Sequence, residues 1–335
     1  LTALSIIIVN YKTPQLVTDC LQSLYAFTKN ISFEVIVVDN ASGDGSREKI
    51  LPAFPQVKWV QMKNNEGFAR ANNEGIRQSA GDAVLLLNSD TILKENAIER
   101  SFTQFMSSSY VACGVQLLNV DGTPQISGNY FMKGGLNHLL PLPYLGAFLK
   151  SIAGLMKVKK PNLPEAKGIV EVDWINGAYL MVKRSAFEVS GLMDEDFFLY
   201  AEETEWCSRL RRIGKLCIYG DCHVIHLEGS SANAAFDAKG KGYMHLFDKK
   251  GLQIMLSNLV RVRKQFGVAW FFLHLLTLLF EIPVFFLGWL LTNIFTLGRS
   301  RYSWKQFAGY CKNVMYILTL AAIISRKKPH FYKLP

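Results

Sequence analysis

A strand-like run ending Leu85-Leu86-Leu87-Asn88-Ser89-Asp90 carries two oxygen ligands, one residue apart, at its carboxyl end. Asp90, with help from Asn88, suits a hard divalent cation, Mg2+ or Mn2+, held against a diphosphate. A cation there would neutralise charge as a nucleoside diphosphate departs. A second acidic turn, Val37-Val38-Asp39-Asn40-Ala41-Ser42-Gly43-Asp44, also follows an apolar run directly. An aspartate in that place can accept the imide N–H of a uracil or thymine ring. Asp, Asn, Ser and Gly are also ordinary turn formers, so either motif alone reads equally as a strand-to-helix turn.

Three further clusters carry chemical potential. Asn64-Asn65-Glu66-Gly67-Phe68-Ala69-Arg70-Ala71-Asn72-Asn73 opens a helix. Its first N–H groups, with Arg70, could face a diphosphate. The bland alternative is a capped helix with solvated asparagines, although an Asn72-Asn73 pair inside a helix costs propensity. Downstream, Asp194, Glu195, Asp196, Glu202, Glu203 and Glu205 place six acids within twelve residues, interleaved with Phe197, Phe198, Tyr200 and Trp206. A helix start favours such acids through its dipole. Apolar walls around carboxylates also suit a general base. Last comes His223-Val224-Ile225-His226, followed by Glu228-Gly229-Ser230-Ser231 and preceded by Cys217 and Cys222. The cysteine spacing does not match a zinc finger, and Cys222 and His223 on one strand would point to opposite faces. His226 reads either as a satisfied structural histidine or as a phosphate or metal contact.

The elements that must position these clusters alternate in type. Leu4–Val9, Phe33–Val38, Val57–Met62, Ala83–Leu87 and Val111–Leu117 read as strands. Helices start at Thr13-Pro14 and cover Phe68–Ser79 and Asn96–Met106. The alternation predicts an α/β, mostly parallel, doubly wound sheet. Ligands of such sheets bind beyond the carboxyl ends of the strands, where the clusters fall. Residues 121–168 are rich in Gly, Pro, Asn and Lys around an apolar middle, and a loop of that length is usually functional. We expect 130–160 to be a mobile, acceptor-side loop. Strand-like pattern returns over Val170–Lys183, a helix over Glu203–Ile213, and two short strands over Leu216–Tyr219 and Val224–Leu227.

The last quarter differs in kind. The net charge is +10, yet residues 1–257 carry 26 basic and 26 acidic groups. Residues 258–335 hold eleven Lys or Arg and one acid, Glu281. Val268–Leu297 is a thirty-residue apolar stretch containing Pro283, and Val314–Ile324 is a second run of eleven. Basic plus apolar points to an anionic membrane surface, whereas a nucleic-acid partner would call for basic excess on the folded domain. Both ends of the first run are basic, so the positive-inside rule keeps both in the cytoplasm. We therefore expect a tail that lies on or dips into the membrane without crossing it, kinked at Pro283. The second run is too short to cross. His274, Thr277, Glu281, Gly288 and Thr292 recur at helical spacing and form a polar stripe. The expected organisation is a catalytic domain over 1–255 and a helical membrane-association region over 256–335. No signal-peptide pattern opens the chain, and the six scattered cysteines fit a reducing compartment.

Taken in order, the clusters resemble glycosyltransferase family 2, in particular its bacterial rhamnosyltransferase-like members. The match runs through Ile8-Val9-Asn10-Tyr11, Val38-Asp39-Asn40-x-Ser42, Asn65-x-Gly67-Phe68-x-x-Ala71-Asn72 and Leu87-Asn88-x-Asp90-Thr91. It continues with Asn176-Gly177-Ala178 and Phe197-Phe198-x-Tyr200-x-Glu202. The resemblance covers residues 4–231 and implies a GT-A fold with a Mg2+ or Mn2+ cofactor. It implies donor contacts from Asn10, Asp39, Asn40, Asn65, Gly67, Arg70, Asn72 and Ser89. Asp90, Asn88 and His226 would hold the metal. Trp174, Asn176, Gly177 and Glu202 would line the acceptor side, and Glu203 would be the catalytic base. Two departures matter. Asn88 stands where the metal motif commonly has its first Asp, and Glu203 stands where the family has Asp, so Asp194 stays in play as the base.

The resemblance also implies an inverting single displacement. The donor would be a nucleotide-diphosphate sugar, dTDP-rhamnose first and UDP-hexoses second. The acceptor would be a lipid-linked saccharide of cell-surface polysaccharide synthesis, met at the cytoplasmic face. A non-catalytic relative that binds nucleotide sugars is the rival reading. A dinucleotide dehydrogenase is not, because Val9 is followed by Asn-Tyr-Lys-Thr-Pro rather than a glycine-rich turn.

Overall fold

The computed structural model describes residues 2–158, 161–227 and 246–334. The chain divides into two compact units. The first comprises residues 1–131, 161–198 and 202–239, and the second residues 132–160, 199–201 and 240–335.

The first unit is built on a mixed sheet. Its strands are β1 (Leu4–Asn10), β2 (Phe33–Asp39), β3 (Lys58–Gln61), β4 (Ala83–Leu87), β5 (Thr91–Ile92) and β6 (Ala112–Leu118). They are followed by β7 (Gly128–Asn129), β8 (Ile169–Val172), β9 (Trp174–Ile175), β10 (Tyr179–Lys183) and β11 (Leu216–His226). The main sheet runs β3-β2-β1-β4-β10-β6-β11-β5, with β8 also on β11, while β7 and β9 pair apart. The first four strands are mutually parallel. Strands β1, β2 and β4 are apolar almost throughout because both faces are covered. Successive residues point to opposite faces. Thus Ile6, Ile8, Val35, Val37, Leu85 and Leu87 join one core with Leu21, Leu24 and Phe105. Ile7, Ile36, Val38, Val84 and Leu86 join another with Ile76, Trp206 and Leu210.

Two departures from simple alternation shape the site. Strand β10 is antiparallel to both β4 and β6, which brings the turn before it beside the carboxyl end of β4. The two short strands expected at 216–219 and 224–227 are one strand, β11, whose register against β6 shifts between Tyr219 and His223. An irregularity of this kind re-aims the residues that follow it.

The second unit contains a 3-10 segment at Lys133–Leu139 and helices Leu145–Leu155, Lys249–Phe266, Val268–Phe295 and Trp304–Ser325. The helix expected to kink at Pro283 is continuous through it. Val268–Phe295 is a single helix with Pro283 inside it. The Tyr310 hydroxyl donates to Leu278 O, one turn before the proline interrupts the ladder, at 2.9 Å. The second apolar run extends well beyond the expected eleven residues. Ser303 and Gln306 form a capping box that starts the helix at Trp304, so it runs 22 residues to Ser325. Both helices are long and apolar enough to cross a bilayer by length and composition. Of the expected polar stripe, His274 and Glu281 are buried within this unit, and Thr292 shares a hydrogen bond with the Tyr144 hydroxyl.

Candidate active site

Asp39 ends β2 and is 3% exposed. Its Oδ1 accepts from Asn10 Nδ2 at 2.6 Å, and its Oδ2 from Ser42 N at 3.0 Å and Gln61 Nε2 at 2.7 Å. Three donors from β1, the turn and β3 fix the carboxylate. Oδ1 takes only one of these bonds, which leaves a lone pair for an imide N–H. Asn40 turns the other way. Its amide donates to Asn65 Oδ1 at 3.0 Å and Gly67 O at 3.2 Å, and its Oδ1 accepts from Glu66 N at 2.9 Å. The two motifs read separately in the sequence are thus one hydrogen-bonded wall.

Helix Gly67–Arg77 begins with Gly67 at φ +78, and a Cβ there would lie 2.0 Å from Phe198 O. Only glycine permits this approach, and Phe68 N donates to that carbonyl at 2.8 Å. The rest of the helix is committed to internal contacts. Asn72 Nδ2 donates to Phe68 O at 2.9 Å. Asn73 clamps Met193 with two bonds, Nδ2 to its carbonyl at 2.8 Å and Oδ1 from its N–H at 3.0 Å. Arg70 pairs with Glu66 at 2.6 Å and donates to Glu195 O at 3.0 Å. These side chains hold the 193–198 segment against the helix.

The Asn88-Ser89-Asp90 turn, expected to hold a metal, follows β4. Asn88 N donates to Ala178 O at 3.0 Å, and Asn88 O accepts from the Thr91 hydroxyl at 2.7 Å, so the turn is pinned on both sides. Cys20 lies beneath it, and burial pushes its thiol up to about 12. Ser89 and Asp90 are 2% and 1% exposed. Asp90 Oδ1 is buried without a hydrogen-bond partner, and it faces His226 Nε2 at 3.4 Å. Thr91 and His226 are register partners of β5 and β11, which explains how residues so distant in sequence meet.

Gln125 decides how that histidine presents itself. Its amide nitrogen donates to Asn119 Oδ1 at 2.7 Å and to His226 O at 2.8 Å. Its Oε1 therefore faces His226 Nδ1, 3.0 Å away, and takes that proton. In the tautomer with its proton on Nδ1, the ring turns the Nε2 lone pair toward the Asp90 oxygen. Two acceptors face each other inside the protein, an arrangement that a shared cation relieves. The donor chemistry fits Mg2+ or Mn2+. Among the described residues no third His, Cys, Asp or Glu completes a cluster, so further ligands would come from a diphosphate and water. Residues Glu228–Ser231, read as part of this motif, lie outside the described residues.

The acid cluster divides. Glu202 and Glu203 open helix Glu202–Leu210, where the helix dipole favours negative charge. Glu202 is buried. Glu203 Oε1 accepts from Trp174 Nε1 at 3.2 Å and Thr204 Oγ1 at 3.3 Å. The two residues before the helix, Tyr200 and Ala201, have φ of +72 and +68. Consecutive left-handed non-glycine residues are strained, and such strain gathers at functional sites. Asp194 instead heads a tight turn, accepting from Asp196 N at 3.0 Å.

The Asn176-Gly177-Ala178 turn links Glu203 to the Asn88 turn. Asn176 Oδ1 accepts from Ala178 N at 2.9 Å and shapes it. Gly177 sits against Glu203, where a Cβ would stand 3.4 Å from Cγ and 3.8 Å from the Phe68 ring. Ala178 O receives Asn88 N. The structure thus brings Asp39, Asn40, Asn65, Gly67, Phe68, Gly177, Glu203, Asn88, Asp90 and His226 to the carboxyl-end side of the sheet's parallel strands. Gln61 and Gln125 escaped the sequence reading. Gln61 ends β3 level with Asp39, a register signal that was available, but nothing local marks Gln125.

Residues 5–156 match the family model described as glycosyl transferase family 2. A low-salt glycan biosynthesis hexosyltransferase of Haloferax volcanii is 31% identical over 66% of this chain and 65% of its own length. An N-acetylglucosaminyl-diphospho-decaprenol L-rhamnosyltransferase of Mycobacterium tuberculosis is 26% identical over 59% of this chain and 67% of its own. The chain thus spans about two thirds of the curated relatives it matches. A mannosyltransferase of Pyrobaculum calidifontis, solved with GDP-Man and Mn2+, superposes with a TM-score of 0.52 at 15% identity, over 96% of this chain and 86% of that one. The shared fold is GT-A.

Proposed function

We propose that the chain, whose residues 5–156 match the glycosyl transferase family 2 model, is an inverting, metal-assisted hexosyltransferase of that family. The observation that carries this reading is the buried Asp90 oxygen without a donor, set 3.4 Å from His226 Nε2. Asp39 accepts the imide N–H of the donor base, held in place by Asn10, Ser42 and Gln61. Asp90 and His226 would hold a divalent cation, with Asn88 alongside; a cation bound there would offset the charge that builds on the departing diphosphate. Glu203 takes the proton of an acceptor hydroxyl. That oxygen bonds the anomeric carbon as the bond to the diphosphate breaks, and the nucleoside diphosphate leaves with the electron pair. One displacement inverts the configuration, with positioning supplying much of the rate.

The rhamnosyltransferase and hexosyltransferase relatives support L-rhamnose from dTDP-rhamnose as the first donor to test, with UDP-hexoses second. A relative named for a decaprenol-linked substrate supports a lipid-linked saccharide acceptor. The apolar and basic second unit supports a place at the cytoplasmic face of a membrane rich in anionic lipid. Catalysis confined to that surface concentrates enzyme and lipid-linked acceptor together. Residues 132–160 belong to that unit and are proposed to meet the acceptor; strong hydrogen-exchange protection of the whole segment without lipid would count against their mobility. The test of function is a thermal-shift screen of dTDP- and UDP-sugars with Mn2+ or Mg2+, followed by turnover with the best donor. A bound donor raises apparent stability by mass action. No shift with any nucleotide sugar would refute the reading.

A further inference from the structure

Glu281 is fully buried at the middle of helix Val268–Phe295, and it is the sole acid of residues 258–335. Its two carboxylate oxygens accept from the backbone N–H groups of Tyr144 at 2.9 Å and Leu145 at 3.1 Å. Those N–H groups open helix Leu145–Leu155, whose own N-cap supplies no side-chain bond. The first donors of a helix need an outside partner, and here a carboxylate from another helix provides it. Tyr144 fastens the joint further. Its hydroxyl lies 3.0 Å from Thr292 Oγ1, and its ring packs over Gly288, where a Cβ would come within 2.7 Å.

Beyond this pin the short helix is largely exposed. Gly146 is its sole buried residue. Phe148, Leu155 and Met156 are 59%, 84% and 72% exposed. The partner helix likewise exposes Leu276, Phe280 and Leu291 at 62%, 59% and 51%. Residues 132–164 contain five lysines and no acid, and Lys150 and Lys157 are exposed.

We infer that helix Leu145–Leu155 is a second lipid-docking element, seated in the headgroup–acyl boundary of an anionic bilayer and pinned there by Glu281. Apolar side chains bordered only by cations fit such a boundary. Eleven residues of helix span about 16 Å, too little to cross a hydrocarbon core of about 30 Å. Lys150 at its centre also opposes burial in hydrocarbon. Glu281 ties the start of this helix to the midpoint of Val268–Phe295, so that midpoint lies at the interface as well. The inference rests on the membrane reading of the second unit.

The experiment uses the full chain with Cys311→Ser, since the other native cysteines are buried. Single cysteines at Phe148 and, separately, at Leu291 carry an environment-sensitive NBD fluorophore. Each is mixed with phosphatidylcholine vesicles with or without phosphatidylglycerol. Both probes are expected to brighten by about twofold or more with the anionic vesicles. Brightening at Leu291 without Phe148 overturns the inference and leaves the tail at the membrane. Silence at both positions overturns the membrane reading itself, and this inference with it. Glu281→Ala should abolish the Phe148 response and spare that at Leu291; an unchanged Phe148 response overturns the pin. Should that variant not fold, Glu281→Gln, which keeps one acceptor oxygen, is expected to weaken the Phe148 response and is judged the same way.

Discussion

A carboxylate oxygen buried without a donor is costly, and proteins retain such groups where something else completes them. Asp90 meets that description. Asp90→Ala should abolish turnover and Mn2+ binding, read by electron paramagnetic resonance, while circular dichroism stays unchanged. Retained Mn2+ affinity would move the cation elsewhere. Gln125 acts one step back by fixing the His226 tautomer, and Gln125→Ala should weaken Mn2+ about 10- to 100-fold with Asp90 intact. The base is a separate question. Glu203 is oriented by the Trp174 indole, whereas Asp194 accepts from Asp196 N within its own turn. Glu203→Gln should cut kcat by about 10²-fold or more with donor affinity nearly unchanged. The same loss from Asp194→Asn would reverse the assignment. Asp39, Asp90 and Glu203 were legible as residues because each acid follows a strand end or opens a helix. Arg70 and Asn72 read as donor contacts by type. The structure gives them to Glu66, Glu195 and Phe68, partners set by tertiary approach rather than by spacing.

At the scale of elements, helix Gly67–Arg77 and the 193–198 segment form one clamp. Gly67→Ala adds a methyl against the Phe198 carbonyl at a left-handed residue. It should cost on the order of 2–4 kcal/mol, read by chemical denaturation; a near-neutral result would mean the approach is looser than it stands here. The clamp also has a pH signature. Burial raises the Glu195 carboxyl, but hydrogen bonds from Arg77 and Asn73 outweigh it and leave the group below its ordinary range. A lowered carboxyl pKa stabilises the fold above the unfolded value and loses that contribution as pH falls through the folded one. Glu195→Gln should therefore lower Tm near neutrality, and the gap should close on acidification below the glutamate range. The effect is small, because the pair is about half exposed. Strands β1, β2 and β4 were legible because continuous apolar runs mark doubly covered strands. The antiparallel entry of β10 was not, since neighbours in a sheet are chosen by the fold and not by local pattern. Helix Val268–Phe295 passes through Pro283 because packing around Phe285, against Tyr310 and Phe307, holds what propensity alone would break.

For the whole molecule the deciding question is whether, and how, the second unit meets a membrane. The helix Trp304–Ser325 is long enough to cross, so a two-span hairpin with residues 296–303 outside becomes the arrangement to exclude. Charge opposes it. Arg299, Arg301 and Lys305 would then sit outside, against the positive-inside rule. Glu281 opposes it too, since a crossing would carry its carboxylate and the lysine-bearing helix it caps toward the bilayer centre. A tail lying in the interface satisfies both, with every basic cluster on the cytoplasmic side. Single cysteines at Lys249, Ser300 and Lys328, in a Cys311→Ser background, separate the cases. All three should resist a membrane-impermeant maleimide on sealed cells and react after permeabilisation. Labelling of Ser300 alone from outside would establish the hairpin. Labelling of Lys249 alone, or of Ser300 and Lys328 together, would establish a single crossing by Val268–Phe295. Either result would place Glu281 within the bilayer and sink the interfacial tail.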